Sequence, residues 1–295
     1  MKLIIITGPT SSGKSALAIE LALIINGAVI SADSMQIYKG MDIGTAKVNA
    51  NEMRGVKHYL IDIVNPDEEF TVSDYRKFAG KAEREIINSG KIPIICGGTG
   101  LYLDSLIYNM SYGNADKNTA LRESLSREFS EKGAEYVHNK LQELDPESAL
   151  ILHPNNKRRV IRAIEIAMSG TPKSEYKDLT DTRDYLMIGL NLHREQLYER
   201  INLRVEKMFR EGLIDEVGAL KDKYSWDLQS MQAIGYKEFR GYFDDGASLE
   251  DIKELIKKNT RNYAKRQLTW LKKYDINWFN PLNADEAIEF VKGNI

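Results

Sequence analysis

Cysteine is all but absent: Cys96 is the only one in 295 residues, so the chain closes no disulfide within itself and suits a reducing compartment. Histidine is nearly as scarce, and His58, His138, His153 and His193 are scattered without zinc-ligand spacing. Neither sign of charge dominates. Lys and Arg number 41 against 43 Asp and Glu, a net charge of −2, which excludes a global pull toward nucleic acid; any such surface must arise by local segregation. No apolar run is long enough to span a bilayer, and Met1 and Lys2 lead directly into an apolar run, leaving no room for a signal peptide. These absences predict a cytoplasmic protein with no membrane partner. What remains, 42% hydrophobic and 28% charged residues, is an ordinary globular composition on a chain long enough for one large domain or two.

The first motif lies at Gly8, Pro9, Thr10, Ser11, Ser12, Gly13, Lys14 and Ser15, which fit the phosphate-loop pattern G-x-x-x-x-G-K-[ST]. An apolar run, Lys2–Ile6, reads as a buried strand before it, and the run from Ser15 to Leu23 reads as a helix after it. Gly8 and Gly13 let the backbone curl so that its N–H groups face one anion. The helix N-terminus adds its dipole, Lys14 a point charge, and the Ser15 hydroxyl a ligand for Mg²⁺. The motif predicts a bound di- or triphosphate, and taken alone it fits ATP or GTP.

Further strands are expected at Ala28–Ser31, His58–Val64, Ile92–Cys96 and Tyr185–Leu190. A helix is expected over Asp74–Asn88, announced by a T-x-x-D cap at Thr71–Asp74 and stopped by Gly90. This alternation predicts an α/β fold: a P-loop nucleoside-triphosphate-hydrolase-like parallel sheet flanked by helices. Residues 112–182 carry no convincing strand but have helical patterns at Leu121–Lys132, Ala134–Leu144 and Arg158–Met168. They read as an all-α insertion in a core made of 1–111 and 183–295, whose long helices fall near 195–211 and 251–273.

Asp33 follows the strand Ala28–Ser31 and should open into the same cleft as the phosphate loop. It can hold Mg²⁺, accept a proton from a nucleophile, or merely cap the next turn. Asp62 also resembles a carboxylate of this kind, and spacing does not rank the two. Gly97-Gly98-Thr99-Gly100 fits either a close backbone approach to a ligand or a plain tight turn, and the Thr99 hydroxyl can reach a carboxylate or a base edge. Lys157, Arg158, Arg159 and Arg162 form one basic cluster. Eight Lys/Arg against three acids between 251 and 275 form another, with Lys258, Arg261, Lys265 and Lys272 inside one stripe of about 60° on a helix. Ile252, Ile256, Tyr263 and Trp270 fall on the opposite, inward side. These runs fit a solvated face or a polyanionic partner such as RNA. Arg200 and Arg204, four apart on one helix, fit a diphosphate clamp or a surface pair.

Several blocks then resemble one family in order along nearly the whole chain: Gly8–Ser15, the 15-residue stretch Asp33–Lys47 (DSMQIYKGMDIGTAK), Gly97–Tyr102, Asn155–Glu165, Ile234–Glu238 and Arg261–Leu271. The family is tRNA dimethylallyltransferase, also called tRNA isopentenyltransferase. A small departure is Val48, where many members have proline.

The resemblance implies transfer of a dimethylallyl group from dimethylallyl diphosphate to N6 of adenosine 37, in the anticodon stem-loop of tRNAs that read codons beginning with U. It implies Asp33 as the general base and Thr99 as its support and that of the flipped adenine. It implies Thr10–Ser15 with Arg204 as the diphosphate clamp, and Mg²⁺ as cofactor. It also places tRNA contacts at Asp33, Ser34, Met35 and Gln36, at Thr99 and Arg122, at Arg158, Arg159, Val160, Ile161 and Arg162, and at Gln232, Ala233, Ile234, Gly235, Tyr236 and Lys237. A monomer is the family expectation. The alternatives are an enzyme that prenylates free adenine nucleotides, which the helical insertion and basic runs disfavour, and a P-loop RNA-binding nucleotide switch, for which no N-K-x-D guanine-reading motif is present.

Overall fold

A computed structural model describes residues 2–108, 118–170 and 183–295. The chain forms two units, Met1–Ile107 with Arg183–Ile295, and Tyr108–Thr182. The ends of the expected insertion, 112 and 182, lie outside the described residues.

In the first unit the chain runs β1 (Leu3–Thr7), α1 (Lys14–Ile24), β2 (Gly27–Ser31), α2 (Ala50–Met53), β3 (His58–Tyr59), α3 (Val72–Asn88), β4 (Ile92–Cys96) and α4 (Gly100–Ile107). The second unit holds α5 (Thr119–Lys132), α6 (Ala134–Leu144), α7 (Pro146–Ile151) and α8 (Lys157–Met168). The first unit then resumes with β5 (Tyr185–Leu190), α9 (Arg194–Arg210), α10 (Leu213–Lys221), α11 (Arg240–Phe243), α12 (Leu249–Leu271), β6 (Asn277–Phe279) and α13 (Ala284–Lys292).

The sheet order is β3-β2-β4-β1-β5-β6, and every neighbouring pair is parallel. β1 and β2 are buried along their whole length, as strands covered on both faces must be. On one face Leu17, Ala18 and Leu21 of α1 and Ile288 and Val291 of α13 close over Ile4, Ile6, Val29 and Ile94. Each of the Leu, Ile and Val side chains contributes about 1.5–3 kcal/mol. The register levels the strand ends: Cys96 pairs with both Ile6 and Ser31, and Thr7 with Gly189. The loops starting at Gly8, Ala32 and Gly97 therefore leave one edge of the sheet together, the edge at which parallel α/β sheets hold ligands.

α3 begins with the expected capping box, Thr71 accepting from Asp74 N–H while the Asp74 carboxylate accepts from Thr71 N–H. The expected strand His58–Val64 is cut to two residues. Leu60 and Asp62 take φ of 62° and 55°, outside any strand conformation. Past Tyr59 the N–H groups of Asp62 and Ile63 bond to Gln36 and Ile37 carbonyls, and Lys47 draws in the Asp62 carboxylate. Edge contacts thus override the apolar pattern.

The helical unit has its own core, in which Leu125, Val137, Leu141, Val160 and Ile164 meet. Inside it Glu165, with a side chain 2% exposed, accepts from Arg122 Nε at 2.9 Å and Nη2 at 2.7 Å, from the Arg162 guanidinium, and from Asn118 N–H at 2.7 Å. Burial alone would raise the pKa of this carboxyl. The bonds from Arg122, Arg162 and Asn118 outweigh it and hold the group down at about 2.

Candidate active site

The phosphate loop is shaped by three positive φ angles, 146° at Gly8, 64° at Ser11 and 92° at Gly13. Glycine is obligatory at position 8, where a Cβ would fall 2.3 Å from the Leu190 carbonyl oxygen. Lys14 Nζ reaches back to the Pro9 carbonyl at 3.1 Å. Arg204, from α9, donates to Thr10 Oγ1 at 3.0 Å and to the Thr45 carbonyl at 3.2 Å. A cleft of about 320 Å³ opens here, lined by Ser11, Gly13, Lys14, Ser15, Arg200 and Arg204. Burial lowers the pKa of both Lys14 and Arg204, and the nearby Asp33 charge opposes it. Neither cation has a bonded carboxylate among the described residues, and the buried hydroxyls of Ser11 and Ser12 have no partner. Two desolvated cations, orphan hydroxyls and a helix N-terminus together fit a polyphosphate.

Asp33 emerges from β2 beside this cleft. Its Oδ1 accepts from Met35 N–H at 2.9 Å, so it does cap the next turn; its second oxygen makes no hydrogen bond within the described residues. Its charge reaches Lys14 and Arg204 as well as Tyr102 and Tyr263. Asp62 instead bonds Lys47 Nζ at 2.6 Å, an amine that also holds Asp42 at 2.6 Å and the Tyr38 carbonyl at 2.8 Å. Geometry thus ranks the two carboxylates, with Asp33 facing the phosphate loop. Thr99 Oγ1 accepts from Ser34 N–H at 3.1 Å while its own N–H bonds the Ala32 carbonyl at 3.1 Å, tying the turn after β4 to the segment carrying Asp33. Gln36 accepts from Ser31 Oγ at 3.2 Å and holds the same segment from the other side.

The glycines around Thr99 let neighbouring protein groups pack closely against the turn. A Cβ at Gly97 would lie 2.2 Å from the Ala32 oxygen, at Gly98 2.3 Å from Gln267 Nε2, and at Gly100 2.2 Å from the Trp270 ring. Cys96, beneath the loop, is held as a neutral thiol, its pKa pushed up to about 11 by burial.

Three groups escape the sequence. Gln267 of α12 bonds Thr10 N–H and the Gly98 carbonyl. Tyr263, one turn earlier, sets its hydroxyl against Thr99 and Gln267, with its pKa raised by burial and by Asp33. Their signal was present: 263, 267 and 270 share one helix face, and Tyr263 and Trp270 already pointed inward. Glu216 of α10 accepts from the N–H groups of Asp42, Ile43 and Gly44 at 2.9, 2.7 and 3.0 Å and from the Tyr236 hydroxyl at 2.6 Å. No sequence pattern marks it, because three of its four partners are backbone.

Other candidates scatter. Tyr236 is buried, and a Cβ on Gly44 would fall 2.4 Å from its ring, so within 232–237 only Gln232 and Lys237 are exposed. Arg158 and Arg159 are exposed on α8, but Val160 and Ile161, at 0% and 7%, are core residues whose side chains offer nothing to a ligand. Arg122 and Arg162 hold Glu165. On α12, Lys258, Lys265 and Lys272 are exposed at seven-residue spacing. Arg261 instead bonds Asn202 at 2.7 Å, and Lys257 bonds Glu206 at 2.6 Å and Glu254 at 2.7 Å. The basic stripe is thus narrower than its sequence suggests. Among the described residues no cluster of three or more His, Cys, Asp or Glu could cage a metal, and no helix is long and apolar enough to cross a membrane. Ser15 and Asp33 nevertheless suit Mg²⁺, which keeps several waters and takes phosphate oxygens rather than a protein cage.

Residues 36–274 match the IPP transferase family. Over 99% of its length the chain is 50% identical to the tRNA dimethylallyltransferase of Clostridioides difficile, covering 96% of that protein, and 48% identical to that of Bacillus cereus, covering 93%. Its fold is similar to the crystal structure of a tRNA isopentenylpyrophosphate transferase from Bacillus halodurans, with TM-score 0.74, 43% identity, and coverage of 99% of this chain and 96% of that one. It is also similar to a eukaryotic dimethylallyltransferase studied acting on tRNA, with TM-score 0.85, 31% identity, and coverage of 99% and 80%. With its P-loop sheet and its kinship over nearly the full length, the chain belongs to the IPP transferase family, that of the tRNA dimethylallyltransferases.

Proposed function

We propose that this chain transfers a dimethylallyl group from dimethylallyl diphosphate to N6 of adenosine 37 in the anticodon loop of tRNAs reading codons that begin with U. The observation that carries the reading is the pairing across one sheet edge of half-buried Lys14 and Arg204, fit for a diphosphate, with Asp33, whose second oxygen has no hydrogen-bond partner among the described residues. An exocyclic amine is a weak nucleophile, so the leaving group must be held and its growing charge met by fixed donors. The loop N–H groups, Lys14 and Arg204 do this. As the N6–C1 bond forms and the C1–O bond breaks, the electron pair leaves with the diphosphate and Asp33 accepts the N6 proton. Mg²⁺ held by Ser15, with Asp33 nearby, would neutralise further phosphate charge.

The base must leave its stack to reach Asp33, which an anticodon loop allows cheaply. Arg158 and Arg159 on the helical unit and Lys258, Lys265 and Lys272 on α12 are the exposed cations that suit RNA phosphates. The protein acts as a cytoplasmic monomer. Incubation with labelled dimethylallyl diphosphate and tRNA, AMP or ATP tests the reading. Label should enter tRNA alone; label in AMP or ATP, or nucleotide hydrolysis without prenyl transfer, would overturn it.

A further inference from the structure

Gln267 is 6% exposed, and both ends of its amide are engaged. Oε1 accepts from Thr10 N–H at 2.8 Å, and Nε2 donates to the Gly98 carbonyl at 3.1 Å. Thr10 belongs to the loop after β1 and Gly98 to the turn after β4, two adjacent strands of the sheet. One side chain thus spans the two loops on which the proposed reaction depends. The Thr10 peptide is held from the main-chain side by Gln267, while Arg204 holds its hydroxyl. Next to Gly98, Thr99 meets the hydroxyl of Tyr263, one turn away from Gln267 on the same helix. Gly98 has no Cβ at the point where one would strike Nε2. That glycine is what admits the amide.

Burying an amide costs free energy that hydrogen bonds at both of its ends must offset, so removing either bond is expensive. We propose that Gln267 is a positioning residue that touches no substrate and sets the spacing between the diphosphate-binding loop and the turn carrying Thr99. The inference rests on the diphosphate reading of the cleft.

Two variants and one ligand, inorganic pyrophosphate with Mg²⁺, test it. Gln267→Met keeps the length and volume but makes neither bond. Gln267→Glu, when protonated, has one acceptor and one donor like the amide; when ionised, it has nothing to give the Gly98 carbonyl. Burial raises such a carboxyl into an accessible pH range. Calorimetry should show pyrophosphate affinity about tenfold weaker in Gln267→Met, with tRNA affinity within about twofold of the parent. In Gln267→Glu the ratio of parent to variant affinity should shrink toward one as pH falls from about 8 to about 5.5. Parent-like pyrophosphate binding by Gln267→Met, or a ratio flat across pH in Gln267→Glu, would overturn the proposal. Should Gln267→Met fail to fold by circular dichroism, the pH series of Gln267→Glu decides alone. If the parent moves no label from dimethylallyl diphosphate to tRNA, the functional reading fails while the pyrophosphate titrations still judge Gln267.

Discussion

Asp33 commits one oxygen to architecture and, in the proposed reaction, keeps the other for the N6 proton. Oδ1 fixes the Met35 turn, and Oδ2 has no hydrogen-bond partner among the described residues. Asn in its place keeps an acceptor for Met35 but loses the base, so Asp33→Asn should lower the single-turnover rate by about 10²–10⁴ while leaving tRNA affinity unchanged. Normal turnover with lost tRNA binding would reverse the assignment. Lys14 illustrates a different balance. Burial disfavours its charged form, so in the free protein the ammonium is a liability that the proposed diphosphate would relieve. Lys14→Met should therefore melt no lower than the parent when free. It should also lose most of the stabilisation that saturating pyrophosphate gives the parent, about 2.7 kcal/mol at a hundred times Kd. Thermal melts with and without Mg²⁺-pyrophosphate read both.

At the scale of elements, α5 and α8 are joined through Glu165. Its folded pKa lies below the ordinary carboxyl range, so its contribution to stability is fully present above about pH 4.5 and is lost as pH falls through about 2. Glu165→Gln should destabilise the helical unit by about 1.5–3 kcal/mol at neutral pH and flatten its melting profile between pH 4.5 and 2. An unchanged acid limb in circular-dichroism melts would refute this.

Elements also differ in how far they can be read from residues alone. α3 announces itself through a cap and a stop, both local. The strands β1, β2, β4 and β5 are short apolar runs whose burial leaves little choice. The stretch after Tyr59 defeats the same logic, because its partners, Lys47 and the Gln36 and Ile37 carbonyls, come from a loop no pattern places there. The site divides likewise. The phosphate loop and Asp33 lie at strand ends and are legible. Glu216 and Gln267 serve backbone groups 174 and 257 residues distant, and backbone carries no side-chain signature.

At the scale of the molecule, a net charge near zero hides segregation. Acidic partners neutralise Lys253, Lys257 and Lys273 inside the first unit, while Lys258, Lys265 and Lys272 on α12 and Arg158 and Arg159 on α8 stay exposed. Arg158→Glu and Lys265→Glu should each weaken tRNA binding more at low salt than at high salt. Each should also reduce the slope of log affinity against log salt by about one. Filter binding across a salt series checks this, and equal affinity at every salt concentration would dismiss the RNA face.

The bond from Gln267 to Thr10 also bears on how the protein is made. Synthesis delivers the phosphate loop well before its partners, for Arg204 lies 194 residues and Gln267 257 residues beyond Thr10. A nascent chain that has passed Ser15 carries the whole nucleotide-loop motif yet lacks both side chains that hold Thr10. Since domains fold as units while emerging from the N-terminus, the loop gains both supports only after α12 has left the ribosome. Unfinished chains on the ribosome would thus be poor competitors for cellular diphosphates.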